Sequence, residues 1–368
     1  MADSAAFSSE QAAFRAMLAR FMAERNPATR VRQLMDTPTA FDRPVWDSLA
    51  RELGAQAIHL PEAVGGSGFG PIELGIVQEE CGRHLFCGPY LSSAVMASGA
   101  LLAVATERAL DCLSPLVDGG SIAVLVLDAL DDPARLGHAL TVDGDRLGGS
   151  APIVFGTEAA DIWLTVARDQ ATGGLGLYRM IKPPLVEART ALDPTRPLAR
   201  VSCQDLPVQH LGHLSARAAG ALWDQFSIAL AQELVGASEA LLYSTIDYMR
   251  VRVQFGRAIG SFQALKHRCA DLLMDVELGK ALAREGARVL AEGGPSRRAA
   301  SMAKAQATDA AMNVARAAIQ LRGGIGFTWE DDTHLWFKRV KSAETLFGSA
   351  AQHREWLIVA LEEMGHDG

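Results

Sequence analysis

Two short stretches concentrate residues able to hold a charged, planar ligand. In the first, Arg252-x-x-Phe255-Gly256 is followed by Gln263; in the second, Gln320 precedes Gly323-Gly324-Ile325-Gly326-Phe327. A guanidinium at a turn can grip a diphosphate with two parallel hydrogen bonds, and a glutamine amide can meet an adenine edge or a ribose. Glycines without a Cβ accept positive φ and let backbone N–H groups lie against a ligand. The same residues also make an ordinary helix–loop–helix with solvated arginines and a glycine-terminated helix. At this level both readings stand.

Long helices must carry these stretches. Apolar residues at helical spacing predict helices over 218–251, 262–291, 297–321 and 333–362, a four-helix bundle rich in Ala, Leu and Met. The first third is also expected to be helical, with segments near 11–24, 45–53, 71–81 and 92–107. Pro71 suits a first helical turn after the glycine-rich 65–70 loop. That loop follows no strand and reads as a simple connection, not a phosphate cradle. Between the helical parts, the valine-rich run 122–127 and the stretches 138–142 and 162–168 predict strands separated by Asp-Gly and Gly-Gly turns. The expected fold is α+β and mostly α. A helical domain spans 1–118, a small antiparallel β domain 119–212 and a four-helix bundle 213–368.

Composition narrows the function. The 368 residues carry a formal charge of −8 without a basic block, which argues against nucleic acid. No apolar run reaches the roughly 20 residues of a membrane span, and the start lacks the features of a signal peptide. Five scattered cysteines without CxxC spacing suit reduced, buried thiols in a cytoplasmic protein and offer no metal site.

Taken in order, these motifs resemble the acyl-CoA dehydrogenases. The stretch GAQAIHLPEAVGGSGFGPIELGIVQEECGR is similar to that family's N-terminal motif, and the helical–β–helical order and length agree. The resemblance implies FAD held between two subunits, with the isoalloxazine against one subunit's β domain and the diphosphate and adenine reaching the neighbour's bundle. Arg252, Phe255, Gln263, Gln320, Gly323 and Gly324 would then hold a neighbour's FAD. It further implies an acyl-CoA thioester substrate, a dimer or tetramer with itself or a homologous subunit, and a flavoprotein electron acceptor.

The same resemblance exposes departures. A carboxylate must take the α proton while the flavin accepts hydride from the β carbon. One family position for that base is a glutamate before Gly-Thr, 27 residues after the motif glutamine. Counted from Gln320, it falls on Phe347, before Gly348-Ser349. The other lies 29 residues before the motif phenylalanine and falls on Phe226. A phenyl ring takes no proton. The β domain departs as well. The segment LDALDDPARLGHAL lacks the family's Thr-Glu-Pro pattern, and Ile153 and Phe155 stand where a tryptophan and a threonine line the flavin. Nearby carboxylates are Asp224, Glu344 and Glu233; the last sits in IALAQELVGA, where an apolar pocket would raise its pKa. A preserved donor half and a lost acceptor half resemble the base-lacking subunit of bacterial α2β2 acyl-CoA dehydrogenases, which often act on steroid side-chain thioesters. The alternatives are a homomeric dehydrogenase using Glu233 or Glu344, and a non-enzymatic acyl-CoA- or flavin-binding homologue.

Overall fold

The computed structural model describes residues 7–366. The N-terminal part is helical: α1 (Ser9–Arg25), α2 (Ala28–Met35), α3 (Arg43–Leu53) and α4 (Pro71–Arg83), then a π-helical turn over Tyr90–Ala97 running into α5 (Ser98–Val104), and α6 (Glu107–Val117). Local chemistry sets the boundaries. The Ser8 hydroxyl accepts from the Gln11 N–H while the Gln11 side chain accepts from the Ser8 N–H, closing a capping box at α1. The Glu73 carboxylate does the same for Gly70 at the start of α4, where proline occupies the first position. The helix expected over 92–107 is cut short at Ala105, whose φ of 46° ends α5 before Thr106 caps α6.

Seven strands follow: β1 (Ala123–Val126), β2 (Leu140–Asp143), β3 (Arg146–Phe155), β4 (Ile162–Asp169), β5 (Leu175–Met180), β6 (Leu185–Arg189) and β7 (Leu198–Leu214). Their order is β1-β4-β2-β3-β7-β5, β6 joins β7, and β4 also pairs with β5, so the sheet curls back on itself. The sheet is mixed where sequence reading expects an antiparallel one, because β4 runs parallel to both β1 and β2. Valine and leucine from β1, β2, β3 and β7 fill its interior with Trp163 of β4 and Tyr178 of β5. The segment after β1 folds on itself: the Asp128 carboxylate accepts from the backbone N–H of Gly137, Ala139 and Leu140 at 3.0, 2.6 and 3.0 Å.

The C-terminal part packs α7 (Ala216–Val251), α8 (Gln263–Ala291) and α9 (Arg297–Arg322) with α10 (Thr333–Ala343) and α11 (Ala350–His366). The single stretch expected over 333–362 is thus two helices, divided at Phe347 (φ 58°) and Gly348 (φ 105°). Such angles cannot continue a right-handed helix. Alanines on α9 let it lie close to its neighbours, and 15 of its 26 residues are buried. At the crossing of α4 and α7 the backbones touch. A Cβ on Gly82 would stand 1.9 Å from the Glu233 carbonyl oxygen, and one on Gly236 1.8 Å from that of Glu79. This crossing ties the N-terminal helices to the bundle. Cys81, Cys87, Cys112, Cys203 and Cys269 are all free and buried, in keeping with the composition.

Candidate functional site

The motif arginine, phenylalanine and glutamines converge at one end of the bundle. Arg252 follows the last residue of α7, and a two-residue hairpin pairs Val253–Gln254 with Arg257–Ala258. At its tip Phe255 (φ 53°) and Gly256 (φ 78°) both take positive φ, the turn that matches strand twist. Phenylalanine adopts that conformation at a cost, and here its ring is also 91% exposed. Strain and exposure together mark a residue kept for something outside the monomer's own packing. Gln263 opens α8.

Opposite, α9 delivers Gln320 and ends at Gly323 (φ 66°, ψ −143°). A Cβ on Gly323 or Gly324 would meet nothing within 4 Å, so the glycine turn faces open space. A cavity of about 620 Å³ lies between these parts, lined by Tyr248, Arg252, Phe255, Phe262, Gln320 and Gly324 among others. Arg322 braces its wall through Asp331 at 2.9 Å and the Ser244 hydroxyl at 3.0 Å. Phe262 is covered by the Arg257 guanidinium, 4.0 Å from the ring centre. Arg252 has no side-chain hydrogen bond or ion pair among the described residues, and its guanidinium is exposed. The wall is built; the cation is left over.

The two positions counted as base positions meet inside the protein. Phe226 on α7 and Phe347 between α10 and α11 are 2% and 0% exposed, with ring centroids 5.5 Å apart. Trp223, one turn earlier on α7, meets Phe347 edge-on at 5.7 Å. No carboxylate shares this contact.

The three candidate carboxylates have other duties. Glu233 is buried, but its surroundings are not apolar. Its Oε1 accepts from Arg196 Nη2 and from Arg339 Nη1, the latter at 3.0 Å. Arg339 also bonds Asp193 at 2.6 Å and the Thr195 hydroxyl at 2.6 Å. Burial pushes the Glu233 carboxyl up, but Arg196 and Arg339 outweigh it and hold the pKa below the usual carboxylate range. The expected rise is therefore reversed: Glu233 is the ionised centre of a buried ion network, a poor proton acceptor. Glu344 pairs with Lys341 on the surface. Asp224 is pushed up to about 6 by burial, against the pull of Arg297 at 3.0 Å and the Ser296 hydroxyl at 2.9 Å. Both partners tie it to the start of α9.

On the β domain, Ile153 is exposed and Phe155 is buried with the Arg196 guanidinium 5.7 Å from its ring centre. Neither supplies a hydrogen-bond donor. The pocket beside Phe155, Arg196 and Arg339 measures only about 30 Å³, room for a water and no more. His353 is core-packed, its Nε2 3.0 Å from the Phe347 carbonyl oxygen. His334 lies against Trp329 at 4.8 Å, and Trp329 itself is largely exposed. Lys304 is a residue that sequence reading missed. It is fully buried in the α9 interface, and only its place on the alanine-rich face of that helix hints at it.

Comparison with known proteins agrees with this architecture. Residues 8–118 match the model of the acyl-CoA dehydrogenase N-terminal domain and residues 221–361 that of the C-terminal domain. The chain is 33% identical over 341 residues to the acyl-CoA dehydrogenase IpdE2 of Mycobacterium tuberculosis, covering 92% of this chain and 93% of that one. Among solved structures it resembles the ChsE4-ChsE5 complex from the same organism, with a TM-score of 0.88 at 25% identity over 98% of this chain and 99% of that one. It also resembles the steroid ACAD Tcur3481-Tcur3483, with a TM-score of 0.86 at 26% identity over 97% and 99%. With both end domains matched and a relative aligned over nearly its whole length, the chain belongs to the acyl-CoA dehydrogenase family.

Proposed function

We propose that this chain is the base-lacking subunit of a heteromeric, FAD-dependent acyl-CoA dehydrogenase. In this reading it completes the cofactor site of a homologous partner in an α2β2 assembly. The observation that carries it is the convergence of Phe226 and Phe347, sealed against each other where a proton acceptor would have to stand. A second supports it: the open 620 Å³ cavity keeps an unpaired Arg252, an exposed Phe255 and a glycine turn free of Cβ atoms.

These residues fit a dinucleotide. Arg252 would take the diphosphate, Gln263 and Gln320 the adenosine side, and Phe255 would lie against the ligand as a planar apolar surface. Gly323 and Gly324 would allow backbone N–H groups to approach closely. FAD bound there would supply the hydride acceptor for the β carbon of the thioester. This chain's part is to bind and orient. It offers no carboxylate for the α proton, since Glu233 is committed to Arg196 and Arg339. The steroid ACAD and the two-component ChsE4-ChsE5 complex among the similar structures support a partner subunit and a bulky, steroid-derived acyl group. An electron-accepting flavoprotein would complete turnover. Among the described residues no helix is long and apolar enough to cross a membrane.

The test is the visible absorption spectrum of the purified chain, alone and after co-expression with a homologous dehydrogenase chain. A colourless chain that gains stoichiometric flavin and acyl-CoA-dependent bleaching only with the partner is the expected result. A yellow homomer bleached by acyl-CoA on its own would sink the proposal.

A further inference from the structure

We infer that this chain has no open acyl channel: Trp223, Phe226 and Phe347 form an aromatic plug, latched by Lys304 and His353, where a thioester's acyl chain would have to lie. The inference rests on the preceding reading, in which the base positions mark the reacting end of the substrate, and it goes further. A missing base leaves room for a bound but unreactive thioester. A plug does not.

The three rings are 1%, 2% and 0% exposed, so no solvent-filled space separates them. Phe347 is held on both sides of its peptide. Its N–H donates to the Leu130 carbonyl at 2.5 Å, and its own carbonyl accepts from Trp223 Nε1 and His353 Nε2, each at 3.0 Å. The Lys304 ammonium, fully buried on α9, lies 3.1 Å from the Gly348 carbonyl oxygen and the Thr308 hydroxyl and 3.4 Å from the carbonyl oxygens of Ala343 and Glu344, so its three N–H groups are shared among four acceptors. Burying an ammonium among neutral acceptors is costly. This one satisfies orphan carbonyls at the C-terminal end of α10 and in the following turn. The outer side is filled too, for a Cβ on Gly348 would stand 2.8 Å from the Trp356 ring. A phenylalanine at φ 58° is strained, and here burial and the hydrogen bonds on both sides of its peptide hold it there. Together these contacts make a clamped segment, not a hinged lid.

Outside the plug a cleft of about 470 Å³ runs between the β domain and the bundle, lined by Arg168, His213 and Arg297. Along α7 its lining ends at Gly220, one turn before Trp223.

Isothermal titration of the purified chain with octanoyl-CoA, and with CoA as the reference, tests this. Wild type is expected to bind octanoyl-CoA no more tightly than CoA. Phe226→Ala/Phe347→Ala, or the milder Phe226→Leu/Phe347→Leu if the first fails to fold, is expected to bind octanoyl-CoA at least about tenfold more tightly than CoA. A wild-type chain that already shows that preference overturns the plug, and so does a folded variant that never gains it. Lys304→Met checks the latch: amide hydrogen exchange at 345–349 should accelerate at least about tenfold relative to the α8 amides, and unchanged exchange refutes the latch. Flavin absorbance of the same samples separates the two proposals. A chain that holds flavin alone defeats the partner reading and leaves the plug standing; octanoyl-CoA binding does the reverse.

Discussion

The end of the bundle and the interior beneath it handle their polar groups in opposite ways. At the bundle end a guanidinium, the Gln320 amide and an exposed phenyl ring line an open cavity, with Gln263 at the neighbouring start of α8 outside its lining and Arg252 unpaired among the described residues. Inside, most charge is matched to charge, Lys304 among neutral oxygens being an exception: Arg339 joins Asp193 to Glu233, and Arg15, Arg83, Lys280 and Arg284 surround Glu79, Glu80 and Glu239. Unsatisfied hydrogen-bonding capacity is cheap in water and expensive in the interior. Exposed spare donors lie at the bundle end beside an open cavity, while the positions named for chemistry are packed shut; the interior also keeps a few unpartnered donors, among them Arg196 Nη1, Arg200 Nε and Trp336 Nε1.

Substitutions sharpen this contrast. Arg339→Met leaves Asp193 without its ion-pair partner and Glu233 with Arg196 alone, and should lower unfolding free energy by about 3–5 kcal/mol, read by urea denaturation. A loss under about 1 kcal/mol would mean that the network is solvated and the contrast false. Glu239 supplies a pH test. Burial pushes its carboxyl up, but Arg83 and Lys280 bring it to about 2, below its ordinary 4.5. The depressed value means that its stabilisation is present above pH 4.5 and is lost as pH falls from there toward 2. Glu239→Gln should therefore flatten that acid limb in thermal melts across the window. At the bundle end Arg252→Ala should cost about 1.5–3 kcal/mol of flavin affinity in the complex through lost charged hydrogen bonds, seen as faster flavin release on dilution. Its effect on the stability of the isolated chain should stay within about 0.5 kcal/mol. The smallest effect is expected for Phe255→Ala in the isolated chain, again within about 0.5 kcal/mol; a larger loss would show that the exposed ring packs in the monomer after all.

What could be read in the sequence follows from what is local. Arg252, Phe255, Gln263 and the glycine turn lie within two short motifs on helices of clear periodicity, so their placement at helix ends is legible in the sequence. Counting placed two phenylalanines at the base positions, but not against each other, because their contact joins α7 to the turn before α11. Glu233 misled for the same reason. Its immediate neighbours are apolar, while Arg196 and Arg339 arrive from 37 and 106 residues away. Local composition cannot report a distant counter-ion. The parallel pairings of β4 were likewise hidden, since strand direction depends on how the chain crosses over between β1 and β4. The break at Phe347 left only Gly348 as a signal, and a lone glycine within a helical pattern is weak punctuation.

The backbone contact between α4 and α7 at Gly82 and Gly236 has a thermodynamic consequence. Two helices separated by whole side chains can part gradually; two whose backbones touch must part at once. The N-terminal helices and the bundle should accordingly melt as one cooperative block in calorimetry, with the calorimetric and van't Hoff enthalpies of that transition equal. Gly82→Ala should split or depress that transition, even though Gly82 lies far along the chain from Arg252 and Gln320.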